Sequence, residues 1–322
     1  MDQSKRRLLL AAAATVPAMA AAQLPTARPV KIITPFPVGT GPDNVMRLLG
    51  EKLSRAWDVP VIIDNRTGGN GWIAIEAAKR AAPDGYTLLQ LDTSFFTVQP
   101  YVYKKLPFDP FKDFEPVSPL FTNNYFIVVA TDSKWRDVRD LAAAAKAAQG
   151  KLPFGSSGIG SQLHINAEML ASALHTPMTH IPIRETPQIY VSIARGDLAW
   201  AYGTGSTAGP LHKSKKVRFL ALAAPSRHPS YPDVPTVAEA GGPNIEARGW
   251  TALFAPAGSP KPLINRMNAD IRRMLMEPDV QERLEAVTFL PWAAEPAELQ
   301  RVAAADSKQI GEVVKSLKIS LD

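Results

Sequence analysis

Ser156, Ser157 and Ser161 lie in the turn Gly155-Ser156-Ser157-Gly158-Ile159-Gly160-Ser161, and His164 follows three residues on. Serine hydroxyls near an imidazole are the parts of an activated nucleophile. The elbow spacing G-x-S-x-G is absent, because Gly158 arrives one residue early, and no acid stands out to orient His164. The same residues suit a second chemistry. The turn follows a strand signal and opens a helix, where the first N–H groups have no internal partner and the dipole favours an anion. Ser161 as a simple helix cap is compatible with both.

A second turn of this kind lies near the N-terminus. Phe36, Pro37, Val38, Gly39, Thr40, Gly41 and Asp43 follow the β-branched run Val30, Ile32, Ile33 and precede an amphipathic stretch. Its glycines allow close backbone approach. It contains no Lys, Cys or His, which points to holding an anion rather than transforming one. Two such turns from opposite halves would grip one anion between them. Gly203-Thr204-Gly205-Ser206-Thr207-Ala208 matches G-x-G-x-x-A but has no acid about twenty residues on at a strand end, so it reads as a third ligand-facing or structural turn. Arg184, after a strand, is placed for a carboxylate fork or a surface pair with Glu185. Phe95 and Phe96 would line a cleft or pack under the following loop. The five histidines show no metal-ligand spacing, so neither metal nor cofactor is expected.

The elements needed to position these turns alternate along the chain. Strands are expected over 30–35, 61–64 and 86–91, with helices over 44–57 and 73–81; this βαβαβ order predicts a parallel sheet. Residues 100–119, rich in proline and aromatics, read as a covering loop. A second series follows. Its strands are 125–130, 152–155, 178–183, 198–202 and 218–223, and its helices are 138–149, 161–174, 187–195 and 208–213. Residues 225–248 read as loop with a short helix around 236–240. A strand over 250–255 and two or three helices complete the chain. The fold class expected is α/β with two lobes, crossed near 121–126 and 249–256, and a ligand cleft between them. The boundaries are a leader over 1–22, lobe 1 over 23–124 and 250–322, and lobe 2 over 125–249.

Lys5, Arg6 and Arg7 followed by the apolar run 8–19 predict a secretory leader cut after Ala20 or Ala22; the run is short for a bilayer span. Arg6-Arg7 leaves the twin-arginine route open beside ordinary export. A leader with no later long apolar run predicts a soluble exported protein. There are no cysteines, which excludes disulfides and thiolate metal sites. The net charge of +6 is mild, and the basic residues form no stripe with interleaved aromatics, so nucleic acid is not an expected partner.

Taken in order, several motifs resemble the solute receptors of tripartite tricarboxylate transporters, the Bug proteins. They are residues 35–43, Asp64-Asn65-Arg66, Ala82-Pro83-Asp84-Gly85-Tyr86-Thr87-Leu88-Leu89, the serine-rich turn, residues 232–241, and Trp250 with residues 254–260. The resemblance implies a type II-like, two-lobe periplasmic binding protein that closes on a small carboxylate. It implies contact through Pro37 to Asp43 and through Ser156 to Ser161 with His164. The ligand's other end would meet Thr93, Ser94, Phe95, Phe96, Arg184 and the Gly203–Ser206 turn with Thr204. Two integral membrane subunits are the implied partners of a monomeric receptor. Two departures stand out: Thr40 interrupts the usual glycine run, and Arg184-Glu185-Thr186-Pro187 replaces a Lys-Gly-Gly-like loop. A fixed guanidinium would suit a second anionic group, and the phenylalanines an aromatic ligand. A periplasmic serine hydrolase and a solute sensor serving a membrane kinase are the alternatives.

Overall fold

The computed structural model describes residues 28–317 and 320–321; the leader expected over 1–22 lies outside them. The first lobe opens with β1 (Val30–Thr34), α1 (Gly41–Trp57), β2 (Val61–Asn65), α2 (Trp72–Lys79) and β3 (Thr87–Asp92). Short helices α3 (Ser94–Thr97) and α4 (Gln99–Val102) lead to the long strand β4 (Phe114–Asn124). The second lobe runs through β5 (Phe126–Ala130), α5 (Val138–Ala147), β6 (Pro153–Ser156), α6 (Gln162–Ala173), β7 (Thr179–Pro182) and α7 (Thr186–Arg195). It continues with β8 (Trp200–Gly203), α8 (Gly205–Lys213) and β9 (Val217–Leu222). The chain returns through β10 (Arg248–Pro256), α9 (Lys261–Leu275), α10 (Pro278–Ala286), β11 (Phe289–Pro291) and α11 (Pro296–Ser316). Among the described residues no helix is long and apolar enough to cross a membrane.

The three strands of the βαβαβ run are parallel, as the alternation predicts, but each sheet as a whole is mixed. In the order β11-β4-β10-β3-β1-β2, only β2, β1 and β3 run parallel. β10 is antiparallel to β3 and β4, and β11 to β4. The second sheet, β7-β6-β8-β5-β9, is parallel across β7, β6 and β8, and β5 runs against both neighbours. Two of the reversed strands, β5 and β10, are the first strands after the chain passes from one lobe to the other.

β4 takes in the last part of the segment expected to be a loop, residues 114–119. Its prolines are tolerated for local reasons. The register with β10 shifts at two places, so that Pro119 lies opposite Ala252 and Pro116 opposite Phe254. β11 pairs only with Phe121, Thr122 and Asn123, so near both prolines the outer side of β4 is an edge, where a missing N–H matters little. The helix expected around 236–240 is a single turn closed by Ala240 N–H donating to the Thr236 carbonyl. Gly241, at φ +76°, ends it.

α1 shows why the helices form where they do. Val45, Met46, Leu49, Leu53 and Trp57 recur at helical spacing and are buried against the sheet, and Asp58 in the left-handed region terminates the helix. Each lobe has its own core. A smaller cluster joins them, with Val98 and Val102 of the first lobe and Ile310 and Val314 of α11 packed on Ile165 and Met169 of α6. The two crossings lie side by side. Tyr125 N–H donates to the Ala247 carbonyl, Ala223 N–H to Tyr125, and Ala247 N–H to Ala223.

Candidate functional site

Between the lobes lies a cleft of about 650 Å³, within the range of small-molecule sites. Its first wall is built by the ends of β1 and β3 and the start of α3, which bring Phe36, Asp92, Thr93, Ser94 and Phe95 to it, with Asn123 and Trp250 beside them. Its second wall is the turn after β6, with Ser157, Gly158, Ile159, Gly160, Ser161 and Gln162, and the start of α8, with Thr204 and Ser206.

The second wall is a pair of helix N-termini. Ser161 caps α6 by accepting from the His164 amide at 3.3 Å. Thr204 caps α8 in a reciprocal box with Thr207. Gly158 (φ +143°) and Gly160 (φ +74°) hold the turn in conformations that L side chains rarely adopt. The Ser157 and Ile159 amides have no acceptor among the described residues, as a turn opening a helix into an anion site would have.

Behind that wall, His180 Nε2 lies 2.6 Å from Ser156 Oγ. The Ser156 hydroxyl donates to the Gly158 carbonyl at 3.0 Å, and the Ser161 hydroxyl donates to Ser156 Oγ at 3.3 Å. The His164 and His180 rings stack at 3.9 Å. His164 Nδ1 accepts from Gly160 N–H at 3.1 Å, and its Nε2 lies 3.7 Å from Glu168. Ser156 and His164 therefore brace the turn from beneath and are not among the residues that line the cleft. The Ser161–His164 pairing that a nucleophile would need is not formed, because the imidazole faces the Gly160 amide and the hydroxyl faces Ser156.

This bracing predicts a pH effect. Burial, with the His164 ring beside it and Glu168 opposing, pulls the His180 imidazole down to about 4 from an ordinary 6.5. Between these values the unfolded chain binds a proton that the folded chain refuses, so stability rises with pH. The contribution is present above about 6.5 and is lost as pH falls toward 4. Melting temperatures across this window should fall on acidification, and His180→Asn should flatten the slope. A slope identical in the two proteins would remove His180 as its source.

The first glycine turn contributes less than expected. Phe36 and Pro42 line the cleft; Pro37, Val38, Gly39, Thr40 and Gly41 do not. Val38 is 70% exposed. The reason is Asp43, whose fully buried carboxylate accepts from the Gly39 amide at 2.8 Å, Arg47 Nε at 2.9 Å and Asn65 Nδ2 at 2.7 Å. Burial pushes this carboxyl up, but the bonds from Arg47, Asn65 and Gly39 outweigh it and hold it below its usual range. The turn has an internal anion, and Asp43 is part of that brace rather than of the cleft. Asn65, from the Asp64-Asn65-Arg66 motif, also donates to the Phe36 carbonyl.

Arg184 is exposed and outside the cleft. It follows β7, which pairs only with β6 at the edge of its sheet, and it comes one residue after Ile183, whose N–H donates to the Ser156 carbonyl. Phe96 turns into the core, stacked on Phe254 at 4.8 Å and tilted on Trp250 at 5.3 Å. Sequence reasoning missed Asn70, Gln99, Tyr103, Asn123, Tyr125 and Gln162 on the walls. It passed over Asp92, although the run Asp92-Thr93-Ser94 at a strand exit was the available signal. Burial raises the Asp92 carboxyl, and hydrogen bonds from Ser94 only partly offset this.

Comparison with known proteins agrees with this architecture. The profile of the tripartite tricarboxylate transporter family receptor, TctC, matches residues 45–319. A UPF0065 protein of Bordetella bronchiseptica is 33% identical over 92% of this chain and 87% of its own length. The structure of R. palustris Rpa4515 with adipate superposes with a TM-score of 0.78 at 26% identity, covering 92% of this chain and 99% of that one. MatC of Rhodopseudomonas palustris with bound malate gives 0.73 at 28% identity, covering 89% and 99%.

Proposed function

This chain belongs to the tripartite tricarboxylate transporter receptor family, and on that premise we propose that it captures a small carboxylate between its lobes for delivery to a membrane transporter. The observation that carries this reading is the second wall of the cleft, where the turn after β6 and the start of α8 present hydroxyls and helix N-terminal amides to one space. A carboxylate held there would accept charge-assisted hydrogen bonds and need no cofactor. Lobe closure would exclude water and strengthen those bonds. The relatives crystallised with adipate and malate support a carboxylate as the ligand class. The ligand-facing residues under this reading are Phe36, Thr93, Ser94, Phe95, Ser157, Gly158, Gly160, Ser161 and Thr204. The Ser156–His180–His164 layer supports the turn.

The protein would work as an exported periplasmic monomer that meets two integral membrane subunits. Binding rather than turnover is favoured because the serine hydroxyls near histidine are committed to one another and to the turn. The test is a thermal-shift series on protein beginning at residue 23, with adipate, malate, glutarate, benzoate and terephthalate. A ligand at about 100 times its Kd adds about 2.7 kcal/mol, and so should raise the melting temperature by roughly 4 °C, increasing with concentration. No shift with any carboxylate, or steady hydrolysis of a carboxylate ester, would defeat the proposal.

A further inference from the structure

We propose that Asp92 makes the cleft selective for carboxylates that also carry a protonated amine. The inference rests on reading the cleft as a carboxylate receptor and names the chemistry at the ligand's other end. Among the described residues that line the cleft, Asp92 is the one charged side chain; no described Lys, Arg or His joins it. It ends β3 opposite Thr251 of β10, so a sheet strand rather than a loop sets its position. Its Oδ1 accepts from the Ser94 amide at 2.8 Å and the Ser94 hydroxyl at 2.5 Å. These bonds fix the carboxylate's orientation without neutralising it, and no basic side chain pairs with it among the described residues.

A carboxylate out of water without a cation is unfavourable unless something arrives to pair with it. Asp92 is half-buried on the cleft wall with no cation beside it, and burial raises its carboxyl. A ligand ammonium supplies the missing partner, whereas a second ligand carboxylate meets a like charge at low dielectric. The opposite wall has the complementary polarity, with helix N-termini and free turn amides. A zwitterion is therefore sorted end to end, its carboxylate toward Ser157 and its ammonium toward Asp92. Each end engages a different lobe, so one molecule of this kind links the two halves as they close. Phe36, Phe95 and Tyr103 on the walls between accommodate an apolar spacer.

Two matched triplets test this by calorimetry at pH 7. One is 4-(aminomethyl)benzoate, 4-methylbenzoate and terephthalate; the other is 5-aminopentanoate, pentanoate and glutarate. In at least one triplet the amine should bind tenfold or more tighter than both analogues. Asp92→Asn should erase that preference and strengthen the dicarboxylate. If carboxylates bind but the amine confers no advantage, or if Asp92→Asn leaves the ranking unchanged, the assignment of Asp92 is overturned and the carboxylate reading stands. If no carboxylate binds, both are overturned. Should Asp92→Asn not fold, the wild-type ranking alone decides.

Discussion

Gly158→Val is expected to weaken carboxylate binding by about tenfold to a hundredfold, with only a modest loss of stability. Gly158 sits at φ +143°, a region closed to a β-branched residue. An added Cβ meets nothing within 4 Å, so the effect comes from the backbone rather than from a clash. The Gly158 amide donates to Ser156 Oγ at 3.2 Å, and its carbonyl accepts from the Ser156 hydroxyl and from Ser161 N–H. Turning this peptide redirects the neighbouring Ser157 and Ile159 amides. Losing one hydrogen bond to an ionised oxygen is worth about 1.5–3 kcal/mol, which is roughly one to two powers of ten in Kd. Gly150→Val is the control, because Gly150 is also at positive φ (+87°) with open space around it but is not on the cleft. Both variants should lose about 1–3 kcal/mol to strain, and only Gly158→Val should lose affinity. Equal Kd values in the two would remove the turn from the binding site.

Much of this site depends on nonlocal relations, and what the sequence discloses follows from that. The serine-rich turn is legible because its parts are contiguous: a strand, glycines at positive φ, and a capping serine. α1 is legible because its apolar residues recur every three or four positions. β4 is hidden, because Pro116 and Pro119 argue against a strand until the bulges and the short β11 partner are known. β11 is three residues ending in Pro291 and has meaning only when docked on β4. Strand direction is hidden too, since alternation of strand and helix does not reveal that β5 and β10 arrive reversed from the other lobe.

The binding residues divide in the same way. Arg184 has the right chemistry, but beyond the end of the edge strand β7 it is exposed and off the cleft walls. The turn after β1 has the composition of an anion cradle, and its anion is Asp43 from the same segment. Asp92 has a local signature only in the run Asp92-Thr93-Ser94 at a strand exit. Its importance comes from the lack of any cation among the described residues of the surrounding walls, which are drawn from both lobes.

The floor of the cleft should be the most sensitive place to truncate. Trp250→Ala is expected to reduce unfolding free energy by about 3–5 kcal/mol, as for other buried aromatics cut to alanine, lowering the melting temperature by on the order of 10 °C. Trp250 is 0% exposed in β10 and packs on Phe96 and Trp292. Its indole N–H donates to Asp306 at 3.0 Å. Burial raises the Asp306 carboxyl, while Arg248 and Trp250 lower it, so truncation also takes a donor from a partly buried carboxylate. The backbone of Trp250 holds the ligand wall. Its N–H donates to Thr93 Oγ1 at 2.6 Å, and its carbonyl accepts from the Thr93 amide at 2.9 Å. Thr93 lies between Asp92 and Ser94, so loosening β10 loosens all three. Trp250→Phe keeps a ring against Phe96 and loses only the indole donor, which should cost roughly 1–3 kcal/mol with affinity nearly retained. Urea melts and calorimetry on the two variants separate packing from the donor. If phenylalanine proved as damaging as alanine, the Asp306 bond rather than the aromatic contact would be what holds the floor in place.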